Sequence, residues 1–359
     1  MKILVPVNDP KEVESIAASG ADEIYCGVIP DEWMGKYTNI ASPNRREWKT
    51  ANLSGTEELE RVVKTAGRCG VPVHLALNAI YTEGQYPMLL GQVKRALEAG
   101  VSALIVADLG FLLCLRKEAV KADIHISTGG TTFNSMTAGF YRDLGAARIT
   151  LPRHLTVSEI GGITRNAPSM KFEVFILNSG CKNIDGFCTF QHGINEVLHR
   201  GLWNIPKKLN VDRWLLNCVR GLPAGLAKRL KSNVFGIDSA CLLNYKVRFK
   251  DVPAGIGERL KAAILDNISS SFNLYSGIDP CGACRLAELK EAGVYGVKVV
   301  GRNYSTAKKV KDTRFLKTVL AFLEKGTPDR GSVYEYVRKT FRRIYGVKCA
   351  RLCYYPDGM

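Results

Sequence analysis

Five cysteines stand in irregular, glycine-rich sequence: Ser179-Gly180-Cys181, Gly186-Phe187-Cys188, Ala240-Cys241 and Pro280-Cys281-Gly282-Ala283-Cys284. Small neighbours leave room for a cluster and let backbone N–H groups point at its sulfurs, which suits iron–sulfur ligation. The same thiols suit tetrahedral zinc, with Cys281-x2-Cys284 as one half of the site. Spacing alone leaves both open. Cys26, Cys69 and Cys114 lie among apolar neighbours in strand or helix patterns and read as small buried hydrophobes, as does Cys218 after Leu215-Leu216. Cys349 and Cys353, four apart near the end, would share one helix face and are taken as structural, with their joining the metal site left open.

Hydrolytic chemistry has thinner support. Neither a Ser-His-Asp order, a His-Glu-x-x-His helix nor a pair of catalytic aspartates stands out. A thiol peptidase needs a cysteine beside a histidine base, and Cys188 near His192 is the local suggestion of one.

The elements that must position these residues repeat along the chain. Short β-rich runs occur at Ile3–Val7, Glu23–Val28, Val71–Leu77, Ala103–Ala107, Ile124–Ser127, Arg148–Leu151, Phe172–Leu177 and Gly296–Val300. Helical patterns lie between them, ending near Gly70, Gly100 and Gly145. Asp9-Pro10 reads as an N-cap followed by proline in the first turn. Continuous Val/Ile/Leu runs separated by helices indicate a parallel sheet covered on both faces. A doubly wound open sheet has the same periodicity. Eight such units favour an α/β fold of the TIM-like (β/α)8 barrel type, with a large insertion between strands 7 and 8.

The barrel is expected over residues 1–330, including a cysteine-bearing basic insertion at 189–292, followed by a basic C-terminal tail at 331–359. Within the insertion, His199–Lys231 interleaves basic residues with Trp203, Trp214 and leucines. The tail carries Arg338-Lys339-Thr340-Phe341-Arg342-Arg343, read as a solvated helix face with an aromatic side on the barrel, or else as a nucleic-acid contact. Insertions after barrel strands fall on the C-terminal face, so the long one lies over the expected site. Lys and Arg number 50 against 34 Asp and Glu, a net charge of +16 that favours an anionic partner such as RNA. No run is long and apolar enough for a membrane span. The first strand begins at Lys2, and the expected location is the cytoplasm, where eleven cysteines do not make a disulfide framework.

Glu173-Val174-Phe175-Ile176-Leu177-Asn178-Ser179-Gly180-Cys181, with Gly186 and Cys188 following, resembles the signature of the U32 family, the collagenase-like peptidases. That signature reads E-x-F-x2-G-[SA]-[LIVM]-C-x4-G-x-C. Asn178 stands where it has glycine, and Gly180 where it has an aliphatic residue. Further pieces are similar in order and spacing: Gly20–Gly27, Leu77-Asn78, Ile105–Gly110, Ser127-Thr128 through Asn134, Leu151-Pro152-Arg153, and Val297–Arg302. Gly129 replaces the family's glutamine, His154 an acid and Val300 a glutamate, which marks a diverged subgroup.

The resemblance implies a [4Fe–4S] cluster and oxygen-independent hydroxylation of an RNA base, or of an aromatic or quinone ring in ubiquinone biosynthesis. It implies a prephenate-like oxygen donor and a possible hetero-partner of the same family. By position it places the cluster on Cys181, Cys188, Cys241 and Cys281, with Cys284 as alternate and zinc as the alternative metal. Arg153 and Arg302, at the ends of strands 6 and 8, would hold a dicarboxylate through bidentate contacts, or else bridge to Glu173 or Asp108. Asp108, Glu173 and His154 are the candidate proton carriers. Peptidase activity, or a non-catalytic cluster protein that binds RNA or a partner, are the rival readings.

Overall fold

The computed structural model describes residues 1–37, 42–46, 51–178, 185–186, 280–349 and 353–355. Of the expected metal ligands, Cys181, Cys188 and Cys241 lie outside the described residues.

Eight short strands form a closed, all-parallel barrel in sequence order: β1 (Lys2–Pro6), β2 (Glu23–Cys26), β3 (Val73–Leu77), β4 (Ala103–Val106), β5 (Asp123–Ile126), β6 (Arg148–Thr150), β7 (Lys171–Leu177) and β8 (Gly296–Val299). Closure is made by β8 on β1, with Ile3 opposite Val297 and Leu4 opposite Lys298. The open sheet is thereby excluded.

Helices alternate with the strands: α1 (Val13–Ala18), α2 (Asp31–Lys36), α3 (Thr56–Arg68), α4 (Tyr86–Glu98), α5 (Leu109–Lys117), α6 (Ser135–Asp143), α7 (Val157–Asn166), α8 (Leu286–Glu291), α9 (Thr306–Leu323) and α10 (Arg330–Tyr345). The Asp9-Pro10 start holds: the Asp9 side chain accepts from Lys11 N–H, and a 3-10 turn over Pro10–Glu12 precedes α1. Helix α8 packs against α7, so the last residues of the expected insertion are the regular helix before β8.

Alternate strand residues face opposite ways. Ile3, Val5, Ile24, Leu104 and Val106 join one large core with the helices, whereas Leu4, Tyr25 and Ile105 form a separate small cluster. The helix side is largely apolar, each fully buried Val, Leu or Ile contributing roughly 1.5–3 kcal/mol, with a buried Lys309–Glu12 ion pair between α9 and the start of α1. The lumen carries a buried charged group of its own, Glu23, Arg148, Glu173 and Lys298.

The basic tail is largely helix. Val333, Val337 and Thr340 of α10 are buried, Phe341 and Tyr345 meet Phe315 of α9 edge-on, and Tyr336 stacks on Phe322. Arg338, Lys339, Arg342 and Arg343 face outward, as the solvated-face reading has it. Two cysteine readings are corrected. Cys69 is exposed because it caps the end of α3 instead of lying on its apolar face. Cys349 and Cys353 share no helix face, because α10 stops at Tyr345 with Gly346 in the left-handed region.

Candidate active site

Two polar layers occupy the barrel. The lower one lies toward the N-terminal ends of the strands. Glu23 and Arg148 open β2 and β6, and Glu173 is level with Gly296, the first residue of β8. The Arg148 guanidinium bridges the two carboxylates, donating to Glu23 Oε1 at 2.9 Å and to Glu173 Oε2 at 3.4 Å. Lys298 and Thr150 both donate to Glu173 Oε1, at 3.1 and 3.0 Å. His74 stands 3.3 Å from Glu23 and meets the His125 ring at 4.9 Å. Burial raises the Glu23 carboxyl, but bonds from Arg148 and His74 outweigh it and hold the group well below the usual carboxylate range. His125 is pushed down to about 2 by burial, aided by the Arg148 charge. Burial also draws Lys298 below its usual value, against the pull of Glu173.

This layer absorbs Glu173. It is 1 % exposed and spends both oxygens on internal partners. Asp108 is similarly committed: Oδ1 accepts from Phe111 N–H and Tyr86 O–H, and Oδ2 from Tyr81 N–H. It therefore caps α5 and anchors the loop after β3. His154 is exposed on the rim after β6.

The upper layer is the mouth at the C-terminal ends of the strands. Arg153 donates through Nη1 to Asp185 Oδ1 at 2.6 Å, and its backbone N–H to Oδ2 at 2.9 Å. Its Nε donates to the Tyr354 hydroxyl at 3.1 Å, and its guanidinium lies over the Phe175 ring at 3.7 Å. Arg302 is held by Asn52 Oδ1 at 3.0 Å and by the Asn44 carbonyl and side chain at 2.9 and 3.1 Å. That cradle explains Gly27 at the end of β2, where a Cβ would fall 1.9 Å from Arg302 Nη1. Neither arginine uses Glu173 or Asp108 in these bonds, so the barrel-end bridges expected to those acids are replaced by Asp185 and two asparagines. Burial pushes the Tyr25 phenol up to about 12, an effect that Arg302, Arg46 and Arg153 all oppose. Two guanidiniums, those of Arg153 and Arg302, stand in fixed orientations at the mouth.

Two departures from the family's pattern have local causes. Asn178 has φ +67°, the left-handed region that glycine enters freely and asparagine tolerates better than most residues. Its side chain is then locked, donating to Asp312 Oδ2 at 2.7 Å and to the Val300 carbonyl at 3.2 Å. At Gly129, an added Cβ would meet the Ala107 Cβ at 2.9 Å and Arg45 Nη1 at 3.2 Å. The space a longer side chain would need there is already taken, in part by a cation.

Sequence reasoning missed Asp185, Tyr354, Lys298, Glu23 and Arg148. The last three had a signal, a charge inside a short apolar strand. Tyr354 had none, lying 201 residues from its partner. Cys26 is buried among apolar groups, with its thiol pushed up to about 12 by burial, so it is no thiolate nucleophile. Among the described residues, no three His, Cys, Asp or Glu side chains are arranged as placed to hold a metal ion. No helix among them is long and apolar enough to cross a membrane.

The sequence model of peptidase family U32 matches residues 8–201, more than half of the chain. The chain belongs to peptidase family U32. Its relatives within the family carry several names. The tRNA hydroxylation protein P of Escherichia coli K12 is 25% identical over 195 residues, which are 54% of this chain and 40% of that protein. The 23S rRNA 5-hydroxycytidine C2501 synthase of the same organism is 24% identical, across 54% of this chain and 26% of its own length. An uncharacterized protease of Methanocaldococcus jannaschii, MJ0090, is 28% identical over 52% of this chain and 43% of its own. The chain thus spans less than half the length of these curated U32 relatives. Among solved structures, the U32 peptidase Mk0906 covers 49% of the chain at 18% identity with a TM-score of 0.37.

Proposed function

We propose that this U32 protein takes part in oxygen-independent hydroxylation of an RNA base, with the substrate at the arginine-lined mouth. The observation that carries this is the pair of arginines after β6 and β8, Arg153 and Arg302, each held in a fixed orientation by hydrogen bonds at the mouth. Relatives named for tRNA and rRNA hydroxylation give that cationic mouth a substrate class. The basic surface, with a net charge of +16, supplies the long-range attraction an RNA needs.

An iron–sulfur cluster would supply one-electron transfer or Lewis acidity beside such a substrate. Of the four thiols that the family resemblance implies as its ligands, Cys181, Cys188 and Cys241 lie outside the described residues, and Cys281 lies within them. Cys281 suits a thiolate ligand in one respect: the Ala283 backbone N–H donates to its sulfur at 3.5 Å. Arg153 and Arg302 would bind anionic groups of the RNA or of a carboxylate oxygen donor, both being held in fixed orientations by Asp185, Asn44 and Asn52. Phe175, under the Arg153 guanidinium, keeps that cation on one side of the opening. A ring substrate of quinone type would fit the same chemistry without needing the basic surface, which is why RNA is preferred. Peptide hydrolysis gains nothing from the described histidines, since His74 and His125 are buried in the lower layer and His154 is exposed.

The test is mass spectrometry of digested tRNA and rRNA from cells with and without the protein. One nucleoside lighter by a single oxygen in the deleted strain is the expected result. RNA of unchanged mass, with a quinone precursor accumulating instead, would move the substrate to the ring. Anaerobically purified protein should carry about four irons per chain, lost in Cys181→Ser.

A further inference from the structure

The turn at residues 42–46, between α2 and α3, is tied to several parts of the barrel. Ser42 accepts from Arg45 N–H through its carbonyl at 3.2 Å and from Arg46 N–H through its hydroxyl at 2.9 Å. The Asn44 carbonyl accepts from Arg302 at 2.9 Å. The Pro43 carbonyl accepts from Ala79 N–H at 3.4 Å and from the Tyr81 hydroxyl. Within these bonds Arg45 sits at φ +59°, the left-handed region that a long side chain rarely enters. A strained residue held this firmly points to a use for the side chain it carries.

That side chain reaches the mouth. A Cβ on Gly129 would lie 3.2 Å from Arg45 Nη1, 2.9 Å from Ala107 Cβ and 3.9 Å from the Asn78 carbonyl. The guanidinium therefore stands beside the residues that follow β3, β4 and β5. Gly186 closes on the same spot, since a Cβ there would meet the Gly129 carbonyl at 3.1 Å, and its neighbour Asp185 holds Arg153. Arg45 and Arg153 thus share one rim. They differ in their commitments. Arg153 and Arg302 spend N–H groups on Asp185, Tyr354, Asn44 and Asn52. The Arg45 guanidinium makes no hydrogen bond or ion pair with any other described residue.

Asn78 adds an acceptor. It follows β3 directly, and the bond from Ala79 to Pro43 joins it to the Arg45 turn. By strand alternation Asn78 shares a face with His74, and Ser127 with His125, whose rings meet in the lumen. Asn78 Nδ2 donates to Ser127 Oγ at 3.2 Å. Its Oδ1 is buried and has no partner among the described residues, and the same holds for the Thr128 hydroxyl. Buried polar atoms are seldom left without a partner. The mouth therefore offers an uncommitted guanidinium and, beside it, an uncommitted amide oxygen.

We propose that Arg45 and Asn78 form a nucleotide subsite, in which Arg45 takes a backbone phosphate of the RNA and Asn78 Oδ1 accepts a hydrogen bond from the same nucleotide. The assignment rests on the RNA reading and names the residues that make the contact. A planar guanidinium with free N–H groups matches two phosphate oxygens at once. Phosphate contacts set the register of a strand, and an amide oxygen beside one can accept from a 2′-hydroxyl or a base N–H. Gly129 belongs to the subsite as well. With glycine where the family has glutamine, the space is left to the Arg45 cation. Arg302 steadies Arg45 through Asn44.

The test is binding of labelled tRNA to the full chain over a range of salt, as wild type, Arg45→Gly and Asn78→Ala, with a thermal melt of each. Glycine enters the left-handed region freely, so Arg45→Gly should melt no lower than wild type. It should bind tRNA about tenfold more weakly, with the log–log salt slope reduced by about 0.7 for the lost phosphate. Asn78→Ala should weaken binding about fivefold at every salt concentration and leave the slope unchanged. Equal affinity and slope in Arg45→Gly would overturn the subsite. So would a lower melting point with the slope unchanged, which makes Arg45 structural. Unchanged affinity in Asn78→Ala would strike Asn78 from it. Should a variant fail to fold, phenylglyoxal labelling of the wild type decides: bound tRNA should protect Arg45, and equal labelling with and without tRNA counts against the site. Wild type that binds no tRNA would sink the RNA reading and the subsite together, whereas variants that bind as wild type does would sink the subsite alone.

Discussion

The lower layer and the mouth both join arginine to carboxylate, yet they do different work. Arg148 lies between Glu23 and Glu173, all three buried, with Lys298, Thr150 and His74 completing the set. Arg153 joins one carboxylate, one phenol and one ring face, and is only partly buried. A buried, multiply bonded charge network specifies how the barrel closes. A partly buried arginine with its orientation fixed can meet a ligand. Residue type alone does not separate these roles; depth along the strand does.

The sharpest way to break the comparison is Arg148→Met. It leaves two buried carboxylates short of their shared cation, and the expected loss of stability is about 3–5 kcal/mol, read as a fall in urea midpoint. An unchanged midpoint would mean the lower layer does not hold the barrel. Acid comes next. Because the folded His125 pKa is depressed to about 2 from an ordinary 6.5, the protein gains stability from neutral His125 above pH 6.5 and loses it as pH falls. Glu23, held below its ordinary 4.5, adds a further loss below that pH. Midpoints measured from pH 7 to 4 should therefore decline, and His125→Gln should flatten the upper part of the decline; a parallel slope in the variant would remove His125 from the account.

At the mouth, Arg153→Ala should weaken RNA binding and lower the log–log salt slope by about 0.7, the value for one phosphate contact on a single strand. Its midpoint should move far less than that of Arg148→Met. The same salt slope in both proteins would place the RNA elsewhere. The smallest effect belongs to Tyr354→Phe, which removes one hydroxyl from between Arg153 and Asn178. A cost of about 0.5–1.5 kcal/mol is expected, visible in thermal melts.

Much of the barrel was legible. Apolar runs of four to seven residues between glycine-ended helices have few solutions other than parallel strands covered on both faces, and eight of them are enough to close. The signature around Glu173 led to the family, and the family model matches that region. Glu173 itself was harder to place. A carboxylate in a family motif looks like chemistry until register puts it level with the first residue of β8. Asp108 was equally ambiguous, since the acid that caps α5 is indistinguishable in sequence from one that carries protons.

What the sequence determined by itself was periodic and local: the strands, the helix start at Asp9, and the identities of the thiols and arginines. These follow from the chain's own dihedral preferences and from the alternation of apolar side chains. Tertiary structure alone decided which charges became partners. Arg153 with Tyr354, and Cys281 with Cys353, are brought together by barrel closure and by the return of α10, and pairing at such separations leaves no periodicity to read.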